Sequence, residues 1–483
     1  MHPLSRRIGE VLELDPEARA IEYEGVWFGW DQLGALSRQI AATVQPGAQV
    51  GILLRNTPAH VATLLGVLSA GACVVVINPS RGDERIRADI AALNLPVIIG
   101  TADDITQLAE PADTTTVVTI GNLDDIPQIR AGVPRYPGVA TVAVRMLTSG
   151  TTGPPKRVDL TYDMLAVSVI GTDFTDTPAP SGVSGSVAIV NAPLVHIGGV
   201  YRVLQCVCEA RPFVLLPRFE LTSWAEAVRR YRPKAVSLVP AALRMVLHSD
   251  LGPDDLDGVR AVTSGTAPLS AEDADAFTEK FGIPVLTSYA ATEFGGGVAG
   301  WTFADHRTYW KSKRGSVGRA SLGAQLRVVS EDGTPLEPDE QGLLEVKPGQ
   351  LGRDADWVRT TDLARIDADG FLWILGRADQ AIIRGGFKVL PDDVRAALES
   401  HPAVLGAAVV GRPDERLGDT PVAMVELRDS GSVGDIELAD YLRSRLAPYE
   451  IPSEIAIVET IPRTPSGKAD LTAVRQHFSG RDR

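Results

Sequence analysis

Cysteine, lysine and long apolar runs are all scarce in this chain. The only cysteines are Cys73, Cys206 and Cys208. Their number is odd and no pair has zinc-ligand spacing, which excludes a zinc centre built on cysteine and leaves free thiols, as in a reducing cytoplasm. No apolar run approaches the roughly 18 residues of a membrane-spanning helix. The opening segment MHPLSRRIGEVLELDPEA lacks an apolar signal core, so a cytoplasmic location is expected. Positive charge is in deficit too. The net charge is -14, which argues against nucleic acid or an anionic membrane surface as the main partner. An anionic small ligand would then need a local cationic or Mg²⁺ site.

What is present is the composition of a globular enzyme, 44% hydrophobic and 22% charged over 483 residues. That length exceeds one ordinary core, so about two to four structural units are expected. Lysine numbers eight against 39 arginines. A lysine kept inside a Gly/Ser/Pro loop is therefore informative, and Lys156 and Lys468 fit that description.

Periodicity gives the layout. IEYEGVWFGW reads as strand, turn and strand, after which Asp31 caps a helix through Val44. QVGILLRN, ACVVVINP and PVIIG are apolar strands alternating with helices, and the alternation resumes from Val183 to Glu293. This pattern predicts an α/β fold of mainly parallel sheets covered by helices. From about Arg314 the period becomes two, with Asp-Gly and Glu-Pro turns, so a small antiparallel β subdomain is expected over about 314–377. After Arg377 a small α+β unit follows. The expected division is 1–377 and 378–483.

Five stretches carry chemistry. Thr148 to Lys156 packs four hydroxyls, two glycines and a lysine into a loop after the strand VAVRML. Hydroxyls and glycine N–H groups can line an anion, and the lysine adds a mobile charge. Thr292-Glu293 offers a hydroxyl for phosphate and a carboxylate for Mg²⁺. Asp362 could accept from sugar hydroxyls. Gly385-Gly386 permits a close backbone approach. Lys468 sits on the loop IPRTPSGKAD. Taken singly, most of these also read as ordinary caps, turns or exposed lysines.

Together and in this order, LTSGTTGPPK, YAATE, GRADQAIIRGGFKV and PRTPSGK resemble the adenylate-forming superfamily of acyl- and aryl-CoA ligases, adenylation domains and luciferases. SGTAPL and PLVHIGG match further segments of that family. The resemblance implies a large N-terminal domain, a small mobile C-terminal domain and a hinge at Asp379. It implies an acid–CoA ligase that joins a lipophilic carboxylic acid (fatty, aryl or polycyclic) to AMP with release of pyrophosphate, then passes the acyl group to coenzyme A. ATP, Mg²⁺ and coenzyme A are the implied cofactors and co-substrates.

By the same resemblance, Thr148, Ser149, Gly150, Thr151, Thr152, Gly153 and Lys156 would hold the β- and γ-phosphates. Ser264, Gly265, Thr266, Ala267, Pro268, Tyr289 and Ala290 would lie beside the adenine. Thr292 would bond the α-phosphate and Glu293 would hold Mg²⁺. Asp362 and Arg377 would bind the ribose, and Lys468 would bridge carboxylate and α-phosphate. His196, Gly199, Val200 and Ala290 would border the acid, with His196 among the catalytic groups. Gly385, Gly386 and Phe387 would serve coenzyme A in a second pose.

Four positions depart from the family pattern: Arg157, Ala290, Thr361 and Ala320. Arg157 either adds a second cation for the γ-phosphate or points to solvent. Thr361 could tilt Asp362. The segment VKPGQLGRDADWVRTTD is also shorter than usual. An acyl-AMP ligase serving a carrier protein, and a nucleotide-binding protein without ligase activity, stay as alternatives. A homodimer is left open.

Overall fold

The structure, a computed structural model, describes residues 1–109, 111–112, 114–132, 141–148, 156–352, 354–414, 416–429, 431–464 and 467–479. Five sheets organise these residues. The largest has seven strands, in the order Gln128–Arg130, Thr116–Thr119, Val97–Gly100, Gln49–Leu53, Cys73–Ile77, Val142–Thr148 and Lys156–Thr161. Its interior pairings are parallel and both edge strands run antiparallel.

The continuous apolar runs are explained by cover on both faces. In Cys73–Ile77 every residue is buried. Val74 and Val76 enter one core cluster, while Cys73, Val75 and Ile77 enter another on the opposite face. That period-two partition is the pleat itself. The three cysteines are free and buried. Burial pushes each thiol up to about 12, which keeps them inert thiols.

A second sheet runs Ala235–Ser237, Ala261–Ser264, Val285–Ala291, Gly296–Gly300 and Arg319–Ala320, parallel over its first three strands. A third joins Ala188–Val190, Phe213–Leu215, Arg19–Tyr23 and Val26–Gly29. The expected antiparallel β region is present as four strands, Gln325–Val329, Gln341–Lys347, Val358–Ile366 and Leu372–Arg377.

Beyond Ile382 the long hairpin Val404–Asp414 and Gly418–Leu427 anchors a last sheet. Ala407, Val409, Ala423 and Val425 face helices Pro391–Glu399 and Asp435–Arg443. Ala408, Val410, Val422 and Met424 face helix Leu471–Ser479. Among the described residues, no helix is long and apolar enough to cross a membrane.

One local expectation is corrected. The first long helix is Trp30–Thr43, and its N-cap is Gly29 rather than Asp31. Gln32 Oε1 accepts the Gly29 N–H at 2.9 Å, so the amide three residues on satisfies the end that Asp31 was expected to cap. The chain after the hydroxyl-rich loop forms the strand Lys156–Thr161. Thr148 and Lys156 are cross-strand partners, which makes the loop the connection of an antiparallel hairpin.

Helix Pro58–Ser69 is buried along nearly its whole length and carries His60, 1% exposed. The Thr57 hydroxyl meets Nδ1 at 2.8 Å, and among the described residues Nε2 has no partner. Burial lowers this imidazole to about 4, with Asp104 pulling the other way. The unfolded chain therefore binds the proton more readily than the folded one between pH 6.5 and 4, and stability must fall as pH drops through that window. By acid pH the loss traceable to His60 should reach on the order of 3 kcal/mol. Chemical denaturation across that range should show a steeper decline for wild type than for His60→Leu; parallel declines would refute the assignment.

Candidate functional site

The second sheet meets the four-stranded antiparallel sheet at Tyr289, Asp362 and Arg377. Asp362 and Arg377 sit opposite each other in register on strands Val358–Ile366 and Leu372–Arg377. The Tyr289 hydroxyl, from strand Val285–Ala291, donates to Asp362 Oδ2. Burial raises the Asp362 carboxyl, partly offset by the Tyr289 hydroxyl and Arg377. Burial, and then the Asp362 charge, push the Tyr289 phenol well above its ordinary range, so it stays a donor.

Arg377 is held from two sides. It donates to the Asp379 carboxylate at 2.9 and 2.7 Å and to the Thr361 hydroxyl at 2.8 Å. Sequence reasoning had Thr361 as a departure that could tilt Asp362. The structure shows it fixing the guanidinium across the strand pair. Asp379, expected only as a hinge, also orients this arginine. A hydroxyl just before Asp362 and a carboxylate two residues after Arg377 were the available signals.

Lys468 reaches this cluster from the last sheet's side of the molecule. Its turn is closed by Thr464 N–H donating to Lys468 C=O at 2.7 Å and by a bridge between Arg463 and Ala469. The side chain remains accessible to solvent, yet it enters a crowded cleft. Lost hydration, and then the Arg377 charge, lower its ammonium; Glu293 and Asp362 act in the opposite direction. The charge of Lys468 acts in turn on His196. Burial, and then the Lys468 charge, lower that imidazole to about 4. His196 is thus neutral at physiological pH, and among the described residues its Nε2 has no hydrogen-bond partner.

Backbone geometry places the rest. His196 is the N-cap of helix Ile197–Cys208. Gly199 lies so close to the preceding loop that a Cβ there would come within 2.3 Å of the Pro193 carbonyl. Thr292 and Glu293 open a short 3-10 turn at the end of Val285–Ala291, closed by Gly295 N–H donating to Thr292 C=O at 3.0 Å. In the 264–268 loop, Ser264 is 2% exposed with an unpartnered hydroxyl among the described residues. Thr266 adopts φ +70°, a conformation that β-branched residues rarely take. A Cβ at Gly265 would meet the Ser288 hydroxyl at 2.8 Å, so glycine lets the loop lie on the neighbouring strand. Ala290 is exposed.

Some expected residues lie elsewhere or out of view. Val200 is wholly buried in the main core cluster, so its side chain backs the site rather than opening into it. Ser149, Gly150, Thr151, Thr152 and Gly153 lie outside the described residues, as does the side chain of Thr148. Lys156 is exposed at the start of its strand. Gly385 and Gly386 form a hairpin turn at φ +56° and +87°. Phe387 beside them is exposed and stacks on Tyr449 at 4.6 Å between ring centroids. Among the described residues, no group of three or more His, Cys, Asp or Glu side chains could hold a metal.

Arg157 does not point to solvent. Its guanidinium pairs with Asp89 at 2.5 Å and donates to the Val76 carbonyl at 3.2 Å. With 15% of the side chain exposed, it ties the hairpin to helix Asp83–Leu93. The shortened segment also has a use. Gln350, 2% exposed, donates to the Gly297 carbonyl at 2.7 Å, bracing the strand that follows Glu293.

Comparison with known proteins follows the same lines. A family model described as AMP-binding enzyme matches residues 10–353, and one described as AMP-binding enzyme C-terminal domain matches residues 393–468. A feruloyl-CoA synthase from Amycolatopsis sp is 28% identical, aligned over 96% of this chain and 97% of that protein. An indoleacetate–CoA ligase from Aromatoleum aromaticum is 28% identical and aligned over 98% of each. The o-succinylbenzoate–CoA synthetase of Bacillus subtilis, solved with the acyl-adenylate intermediate OSB-AMP, superposes with a TM-score of 0.78. It is 25% identical, with 99% of this chain and 98% of that chain covered.

The Arg157 contacts make a structural prediction. Arg157→Ala should cost about 1.5–3 kcal/mol of stability, the usual worth of a charge-assisted hydrogen bond. It should shift the Michaelis constant for ATP less than about threefold. Thermal denaturation and nucleotide titration of the variant separate the two effects; an unchanged melting temperature with a large change for ATP would show a phosphate-binding role instead.

Proposed function

This chain belongs to the AMP-binding enzyme family, and from that premise we propose how its cleft performs an acid–CoA ligation. The protein is an AMP-forming acid–CoA ligase, in keeping with its relatives among acyl- and aryl-CoA ligases. A carboxylate oxygen attacks the α-phosphorus of ATP, and the bond to the bridging oxygen of pyrophosphate breaks. The thiol of coenzyme A then attacks the acyl carbon. AMP departs and the thiol proton is released.

The single observation that supports the assignment of roles is the electrostatic coupling of Lys468 to Arg377, Glu293, Asp362 and His196. Attack by one anion on another is opposed by charge, so a positioned cation contributes most where negative charge accumulates. Lys468 is that cation. Asp362 and Arg377 hold the ribose, with Tyr289, Thr361 and Asp379 fixing their orientation. Thr292 bonds the α-phosphate. His196, being neutral, does not form an ion pair with the incoming carboxylate and leaves its lone pair available for attack. Lys156 and the hydroxyl-rich loop before it hold the departing pyrophosphate.

Glu293 suits Mg²⁺ in the manner of sites that combine one or two protein carboxylates with substrate phosphate oxygens. Its exposed carboxylate lies at a strand end, facing Lys468. When bound, the ion would supply charge neutralisation at the phosphates. Gly385, Gly386 and Phe387 are assigned to coenzyme A, reached by rotation of residues 378–483 about Asp379.

We assign the acid to the lipophilic class, aryl acids foremost. Val195 and Ile197 flank His196 and pack on the main core cluster, and feruloyl and indoleacetate ligases are among the relatives. Incubating the enzyme with ATP, Mg²⁺, coenzyme A and a panel of aryl and fatty acids should give acyl-CoA masses for aryl members of the panel; products from short polar acids alone would overturn this class. Lys468→Ala should lower acid-dependent ATP–pyrophosphate exchange about 10- to 150-fold, the equivalent of one charged hydrogen bond, with an unchanged melting temperature. Exchange at the wild-type rate would remove Lys468 from its role.

A further inference from the structure

Lys468 can act only while the last sheet is docked against the rest of the molecule, and a buried group of charges lies where the two meet. Arg244, on helix Pro240–Leu247, donates to Glu399 at 3.2 and 2.7 Å. Glu399 ends helix Pro391–Glu399, on the far side of the hinge region. Arg244 also donates to Asp273 on its own side at 2.7 Å. Glu399 also accepts from Arg395 on its own side at 2.7 Å and from the Ala407 N–H at 3.3 Å. The side chains of Arg244, Asp273 and Glu399 are 11%, 14% and 6% exposed.

We infer that Arg244 and Glu399 are positioning residues that dock the C-terminal unit in the pose for acyl-AMP formation, as a latch built to open. The proposal rests on the ligase reading above. A buried ion pair is costly to break when one charge is left bare. Here neither is. On separation, Arg244 keeps Asp273 and Glu399 keeps Arg395, so each charge retains a partner within its own unit. The pair is thus strong enough to orient and cheap enough to release. The same network runs on to the site. Arg395 donates to Asp392 at 3.2 Å. Asp392 lies beside Gly376, where a Cβ would be 3.7 Å from its carboxylate oxygen, and its charge is felt by Asp362. Docking at Glu399 is therefore sensed next to the ribose-binding pair.

The test separates the two half-reactions. Glu399→Gln should lower ATP–pyrophosphate exchange about tenfold while thioester formation from supplied acyl-AMP and coenzyme A stays within about twofold of wild type. Arg244→Gln, altered from the other side, should give the same split, and Glu399→Asp should recover part of the exchange. Equal loss in both half-reactions would mean a purely structural role and overturn the proposal, as would no loss in either. A distance measurement keeps the latch testable even if no acid is found. Spin labels at Ile126→Cys and Ile436→Cys, both exposed positions in a chain whose native cysteines are buried, should report one dominant separation. Glu399→Gln should broaden it. An unchanged distribution would overturn the latch, whereas failure of every acid in wild type would overturn the ligase reading alone.

Discussion

In the proposed reaction one constraint governs the cleft: two anions must meet, and Lys468, the cation assigned to bring them together, stands on a separate part of the chain. Lys468 stands on a turn of the last sheet, yet its neighbours Glu293, Asp362, Arg377 and His196 all come from earlier elements. Carrying the cation on a separate unit has a physical advantage. A fixed ammonium would hold AMP as firmly after the first step as before it. One delivered by docking can leave, and the site can then be remodelled for a thiol.

The surrounding electrostatics suit that division. Groups expected to stay with the nucleotide are tied down on their own side: Tyr289 to Asp362, and Arg377 to Thr361 and Asp379. Groups expected to meet the reacting carboxylate are left with open valence. His196 is neutral with an unpartnered ring nitrogen among the described residues, and lost hydration, then the Arg377 charge, lower the Lys468 ammonium. Binding groups are preorganised, and reacting groups are poised.

The family was legible in the sequence because motif chemistry is local. A lysine in a Pro/Ser/Gly loop, a Thr-Glu pair after an apolar strand, and Asp362 beside a turn-rich strand pair each announce their chemistry within a few residues. Departures from the expected pattern were less legible. Arg157 reads as a phosphate ligand because it follows a loop lysine, but its role is set by Asp89, 68 residues earlier. Thr361 reads as a perturbation of its neighbour Asp362, but its hydroxyl answers to Arg377 on the next strand. Gln350 carries no motif, yet it braces the strand beyond Glu293. In each case the partner is remote in sequence, and only strand register or helix packing brings it near.

By itself, the sequence determined the α/β class, the change to antiparallel β near Arg314 and the motifs by which the family is recognised. Each follows from short-range periodicity or from residue chemistry that does not depend on remote neighbours. The tertiary structure alone decided that Arg157 is a strut, that Val200 belongs to the core and that His196 is uncharged. It alone put Glu399 opposite Arg244. Those outcomes turn on burial and on long-range charge pairing, and both are properties of the packed chain, since hydration is lost and distant charges meet only when the sheets close on one another.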